Sequence, residues 1–189
     1  MQAASDSHGD GISYRKRLPL QWTPLQQLPS GIESERLAEA NTRLLAAVAL
    51  LEEHSQVGDE PSAHELELLR IHQKLNLLLE LFGGFLTQQS PRRTDLMVRL
   101  SWRGIVWEDA ATVLKVGEVG LVELNLSNIL PQALRLPARI TSVAEGVVSA
   151  EFDALTELCQ SALERHVFMR HRREVAETRQ PARQVSRDF

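Results

Sequence analysis

The sequence predicts an α+β chain: a small antiparallel barrel or sandwich, interrupted by two helices and followed by a third. Three observations lead there. Short runs with strand patterning recur between Asp95 and Phe152, separated by turn residues. Two leucine-rich stretches without internal proline, residues 32–56 and 62–89, lie between the first strand candidate and the others. A long stretch of helical periodicity follows the last strand.

Along the chain, residues 13–22 read as an extended segment, and Pro19 predicts an edge strand or a bulge because proline cannot donate to a ladder. Two helices follow. Ser30-Gly31-Ile32-Glu33 and Ser62-Ala63-His64-Glu65 share the Ser-x-x-Glu spacing of a capping box. Gly58, Asp59 and Pro61 make residues 55–61 a short polar loop suited to an antiparallel helix pair. The first helix has a seam of Leu37, Ala40, Leu44, Ala47 and Leu51, whose alanines suit close approach to the second helix. The second carries Leu68, Ile71, Leu75, Leu78, Phe82 and Phe85 at alternating steps of three and four, as the a and d positions of a heptad do. Leu77, Leu79 and Leu81 widen that stripe until the C-terminal half is apolar nearly all round. One neighbour cannot cover such a helix. It predicts self-assembly through Leu68, Ile71, Leu75, Leu78, Leu79, Phe82 and Phe85. Gly83 and Gly84 each cost about 1 kcal/mol in a helix interior, so an end near Gln88 with local irregularity is expected.

Strand candidates then come at residues 95–102, 104–107, 112–116, 120–126, 133–143 and 147–152, with turn signals at Glu108-Asp109, Gly117-Glu118, residues 128–131 and Glu145-Gly146. The last helix is expected over residues 154–177, with Leu155, Leu158, Ala162 and Met169 as its apolar face. The segments group as a tail and first strand (1–22), an inserted helical hairpin (30–90), the remaining strands with the last helix (94–178), and a polar tail (179–189) expected to be disordered.

Composition excludes several classes. At 189 residues, 43% hydrophobic and 24% charged, the chain is an ordinary globular protein of one domain plus an elaboration, or two small ones. Its net charge of −4 gives no hint of nucleic acid. A single cysteine, Cys159, excludes an intrachain disulfide, fits a reducing compartment, and reads as a buried thiol. Residues 1–12 lack an apolar segment of the secretory kind and no run reaches membrane-span length, so a cytoplasmic location is expected.

The residues that open the first strand pair after the helices, Arg99-Leu100-Ser101-Trp102-Arg103-Gly104, are similar to the PilZ-domain motif Asp/Asn-x-Ser-x-x-Gly with its first residue replaced. Gly117-Glu118-Val119 with Val122-Glu123-Leu124-Asn125-Leu126, then Leu136-Pro137-Ala138-Arg139-Ile140, then residues 146–152, resemble successive strands of that family in order and spacing. The resemblance covers residues 95–168, with 13–22 as the first strand. It implies a six-stranded antiparallel barrel that binds cyclic di-GMP through an Arg-x-x-x-Arg segment and the Asp/Asn-x-Ser-x-x-Gly motif. Arginine forks suit phosphates and stack on guanine, and the acidic or amide residue reads a guanine edge.

This chain departs from the pattern at both places. Arg15-Lys16-Arg17 is basic but lacks arginines four apart, and Arg99 cannot accept a hydrogen bond. The usual mode of nucleotide binding is therefore not expected. The chain resembles an atypical PilZ class of xanthomonads in which helices inserted after the first strand drive tetramer formation. On that reading it is a non-catalytic tetrameric adaptor in cyclic di-GMP signalling, acting through protein contacts with an unidentified signalling partner; motility or virulence roles follow from the resemblance alone. The alternative is a cyclic di-GMP receptor using an altered set, Arg15, Arg17, Arg99, Ser101, Arg103 and Gly104. For that alternative, the Arg-x-x-x-Arg spacing recurs in the tail at Arg179, Arg183 and Arg187, an arginine segment expected to reach a phosphate across the oligomer; a basic-tail nucleic-acid module ranks last.

No cofactor is expected outside that alternative. His54, His64 and His72 do not place two ligands on one face with a carboxylate between, so no metal site is expected. His166, Arg170, His171, Arg172 and Arg173, interspersed with Glu164, Glu174 and Glu177, read as a salt-bridged helix face. Trp102 and Trp107 read as core by default, or as a recognition surface. No phosphate loop, nucleophile elbow or acid pair appears, and no enzyme is expected.

Overall fold

The computed structural model describes residues 11–53, 63–87, 93–109, 113–127, 130–153 and 155–179; the predicted loop at 55–61 and the tail from 180 onward lie outside them. The elements are β1 (Ser13–Pro24), α1 (Ile32–Glu53), α2 (Ala63–Thr87), β2 (Thr94–Ser101), β3 (Gly104–Glu108), β4 (Val119–Leu124), β5 (Leu134–Ala144), β6 (Val147–Phe152) and α3 (Glu157–Arg179). The strands close into one antiparallel barrel in the order β1-β2-β3-β6-β5-β4.

Alternation along the strands explains the closure. Val98 and Leu100 on β2, Ile105 and Trp107 on β3, Val122 and Leu124 on β4, Leu136, Ala138 and Ile140 on β5, and Val148 and Ala150 on β6 all turn inward and are buried. Trp107 fills the centre and stacks on Trp22 at 6.2 Å between ring centroids, so it is core and not a recognition surface.

β1 is neither the edge strand nor the bulged strand that Pro19 predicts. It pairs with β2 over Ser13–Leu20 and with β4 over Leu20–Pro24, so Leu20 faces both Thr94 and Leu124. Pro19 sits where the strand bends from one neighbour to the other. There its missing N–H leaves no gap in the ladder, and its carbonyl accepts from the Asn125 N–H at 3.0 Å. The strand candidate at 112–116 is not formed: residues 113–115 are irregular and Val116-Gly117 make a turn, with Gly117 at φ +91°. Val113 and Val116 are exposed, so that run of β-branched residues has no sheet to join.

The inserted helices are not a packed pair. Among the described residues α1 lies against α3 and β5, while α2 takes part in no extensive packing with another element. The face α1 buries is Ala38, Asn41, Leu44, Leu45 and Val48, rotated from the predicted seam, of which only Leu44 is fully buried. Leu44, Leu45 and Val48 join the barrel core together with Leu163 and Val167 of α3, a wider apolar surface than one helix could offer. Asn41 fixes this seat: its Nδ2 donates to the Arg135 carbonyl at 2.7 Å and its Oδ1 accepts from the Arg135 N–H at 2.9 Å.

α1 starts one residue later than the capping box predicts, with the Gly31 carbonyl accepting from the Glu35 N–H at 3.1 Å and Gly31 at φ +55°. α2 runs through Gly83 and Gly84 and ends at Thr87. α3 begins at Glu157, capped by Thr156, whose hydroxyl accepts from the Cys159 N–H at 3.4 Å. Its buried face is Cys159, Leu163, His166 and Val167. Leu158, expected inside, is 76% exposed, and Met169 is exposed, because the barrel and α1 meet the helix about one residue further round.

Candidate ligand site and assembly surface

The Ser101–Gly104 turn joins β2 to β3, and two of its residues are occupied in making it. The Ser101 hydroxyl donates to the Gly104 carbonyl at 3.0 Å and accepts from the Gly104 and Arg103 N–H groups at 3.1 and 3.3 Å. A Cβ on Gly104 would meet the Ala150 carbonyl oxygen at 2.4 Å, so only glycine lets β3 approach β6 there. The Arg103 carbonyl accepts from the Phe152 N–H at 2.9 Å. Ser101 and Gly104 of the motif thus build the hairpin whether or not a ligand is bound.

The arginines diverge from this turn. Arg99 stands outward on β2, directly opposite Arg15 on β1. They line a groove of about 430 Å³ against His171, Glu174, Val175 and Thr178 of α3. The Arg15 guanidinium is in an ion pair with Glu108, and its backbone N–H donates to the Glu174 carboxylate at 3.4 Å. His171 Nδ1 is 2.8 Å from the Ser13 carbonyl, tying α3 to the start of β1. Arg17 is exposed on β1, opposite Met97.

Arg103 turns the other way and lies over the Trp102 ring, 4.5 Å from its centroid. This pair borders a second groove of about 580 Å³, shared with Ile12 and with Glu164, Arg165 and Phe168 of α3. The six residues of the altered nucleotide set therefore fall in four places: Arg15 and Arg99 in one groove, Arg103 in another, Ser101 and Gly104 within the turn, and Arg17 on the outer strand face.

The assembly surface is α2. Leu68, Ile71, Leu75 and Leu78 are 43–63% exposed, joined by exposed Leu66, Leu77 and Leu81, while Leu79 is half-buried. The side chains of Phe82 and Phe85 lie outside the described residues. The ends of the insertion are tied to one side of the barrel. Asn41 holds β5, and Arg93, just after α2, pairs with Glu123 of β4 at 3.0 Å, whose other oxygen takes Arg135 at 3.1 Å.

Two buried groups were not legible as partners in the sequence. His166, placed on a charged face by its neighbours in sequence, is buried, with Nε2 3.1 Å from the Tyr14 hydroxyl. Burial lowers its pKa to about 4, with further lowering from the positive charges of Arg170, Lys16 and Arg173. Asn41, not singled out from the sequence, carries the clasp on β5. Its place one helical turn from Leu37 and from Leu44 and Leu45, on the apolar side of α1, was the available signal. Cys159 is fully buried as expected; burial raises its thiol pKa, opposed by hydrogen bonds with Asn41 and Thr42. His72 bonds within its own helix, to the Leu68 carbonyl at 2.9 Å, and no metal-binding cluster occurs among the described residues.

A closed six-stranded barrel, a Ser-x-x-Gly hairpin and a helical insertion after the first strand define a PilZ-type domain of the atypical kind. Residues 42–180 match the family described as the atypical PilZ domain, cyclic di-GMP receptor, and the chain belongs to that family. Among solved structures it is similar to a pathogenic protein from Xanthomonas campestris, a tetrameric PilZ domain self-assembled via an unusual helical bundle. That likeness has 29% identity and a TM-score of 0.69, and covers 88% of this chain and 92% of the other. No curated protein matches the chain. No helix among the described residues is long and apolar enough to cross a membrane.

Proposed function

We propose that this protein is a non-catalytic, tetrameric adaptor of bacterial cyclic di-GMP signalling that acts in the cytoplasm through protein contacts and does not hold the nucleotide in the usual PilZ mode. The exposed stripe of α2 carries this reading. Burying a fully exposed leucine or isoleucine yields about 1.5–3 kcal/mol; the seven on α2 are about half exposed, so each copy contributes about 6–12 kcal/mol, of the size of an association cost of about 4–15 kcal/mol that several copies offset together. The tetrameric Xanthomonas relative supports the same number of subunits.

Against the usual nucleotide mode stand three features of the first groove. Arg99 occupies the acceptor position, Glu108 engages Arg15, and the Glu174 carboxylate adds negative charge where phosphates would lie. One feature favours the receptor reading instead: Arg103 stacked on Trp102 beside Arg165 is a cationic, aromatic platform of the sort a purine phosphate takes.

Replacing Leu75 and Leu78 by Glu converts the assembly to monomers, measured as mass by light scattering; an unchanged mass removes the helical-assembly reading. Calorimetric titration with cyclic di-GMP at moderate salt gives no heat at high micromolar ligand, and Arg99→Asp gains measurable affinity. Saturable binding to the unaltered protein establishes the receptor reading in its place, and Arg103→Ala then weakens it.

A further inference from the structure

A cleft of about 170 Å³ opens between α1 and α3, with Leu45, Ala46, Ala49, Ala162 and Met169 as its apolar lining. Thr42, Arg165, His166 and Arg173 complete the wall, so the lining holds two guanidiniums and, among the described residues, no carboxylate. The charges acting on buried His166 are of the same sign: Arg170 and Arg173 from α3 and Lys16 from β1, with Tyr14 of β1 as its hydrogen-bond partner. α1 contributes only Thr42 and apolar residues to the wall. An apolar hollow is thus set in a concentration of positive charge, in a chain whose net charge is −4.

We infer that this cleft binds a small amphipathic monocarboxylate, its apolar body against Leu45, Ala46, Ala49 and Met169 and its carboxylate paired with Arg165 or Arg173. The volume sets the size of the body. An apolar cavity of about 150 Å³ holds one benzene ring, so benzoate or a chain of comparable bulk fits. A helix about 10 Å across does not. The charge sets the head group, because a guanidinium fork pairs a carboxylate through two parallel hydrogen bonds. The assembly surface is not involved, and of the two arginines only Arg165 also borders the Trp102–Arg103 groove, so this site stands or falls independently of the adaptor reading.

The test is titration of the full-length protein with benzoate, followed by calorimetry and by the His166 ring resonances in NMR. Saturable binding is expected, with the His166 pKa rising from about 4 because a nearby anion favours the imidazolium form. Benzyl alcohol, which lacks the charge, binds at least tenfold more weakly. At least one of Arg165→Gln and Arg173→Gln weakens benzoate at least tenfold, with circular dichroism and thermal melting establishing that each variant is folded. Ala46→Phe, which fills the cleft, abolishes binding. The proposal is overturned by the absence of a saturable shift, by equal binding of benzyl alcohol, or by affinity unchanged in both arginine variants. It is also overturned by benzoate affinity that rises as the protein is diluted, which would assign the cleft to a second copy of the chain.

Discussion

His166 shows how a titratable residue becomes part of a core. Its pKa of about 4 lies below the ordinary 6.5, so between those values the unfolded chain binds a proton that the folded chain refuses. Stability is complete above pH 6.5 and falls as pH drops toward 4, by up to about 3 kcal/mol from this one group. Urea unfolding at pH 7 and pH 4.5 measures it: His166→Gln loses stability at pH 7 but has a flatter decline than the unaltered protein. Equal declines in both would place the acid sensitivity elsewhere. The sequence set His166 among arginines and glutamates, and that neighbourhood concealed the residue, because burial is decided by Tyr14, more than a hundred and fifty positions away. Ser101 and Gly104 were legible as a pair for the opposite reason. Their roles are local, one closing a four-residue turn and the other clearing the path of an adjacent strand.

At the level of elements, existence and order were legible and facing was not. The strands of the barrel and all three helices appear where periodicity and turn residues put them, apart from 112–116. The face α1 presents was missed because adjacent helical positions differ by only about 100°, and the choice between them depends on the surface offered by β5 and α3. The same ambiguity exchanged Leu158 for Cys159 on α3. Asn41 decides the matter for α1. Asn41→Ala leaves the Arg135 N–H and carbonyl without their partners, and costs about 2–3 kcal/mol at one unmet group of about 1–3 kcal/mol on each side of a partly exposed clasp. Chemical denaturation reads that loss. Asn41→Asp, which keeps only the acceptor, falls between the two.

For the molecule as a whole, stability is coupled to concentration if α2 is shared between copies. The melting temperature rises with protein concentration in the unaltered chain and is constant in the Leu75→Glu, Leu78→Glu variant, by mass action. Differential scanning calorimetry over a hundredfold range of concentration distinguishes them. Short strands in a row left barrel and sandwich open, and Pro19 alone argued for an edge or a bulge; the closed six-stranded barrel with β1 as a member was legible through the family resemblance. That closure carries a consequence in time. Leu20 must meet Thr94 and Leu124, both made long after it. At a synthesis rate of about 5–20 residues per second, roughly 5–20 s separate β1 from its second neighbour. Through that interval Tyr14, Leu18 and Leu20, all buried in the finished barrel, have no sheet to enter. The first strand to leave the ribosome waits the longest for both its neighbours, and it is the segment of the barrel that most needs shelter while the rest is being made.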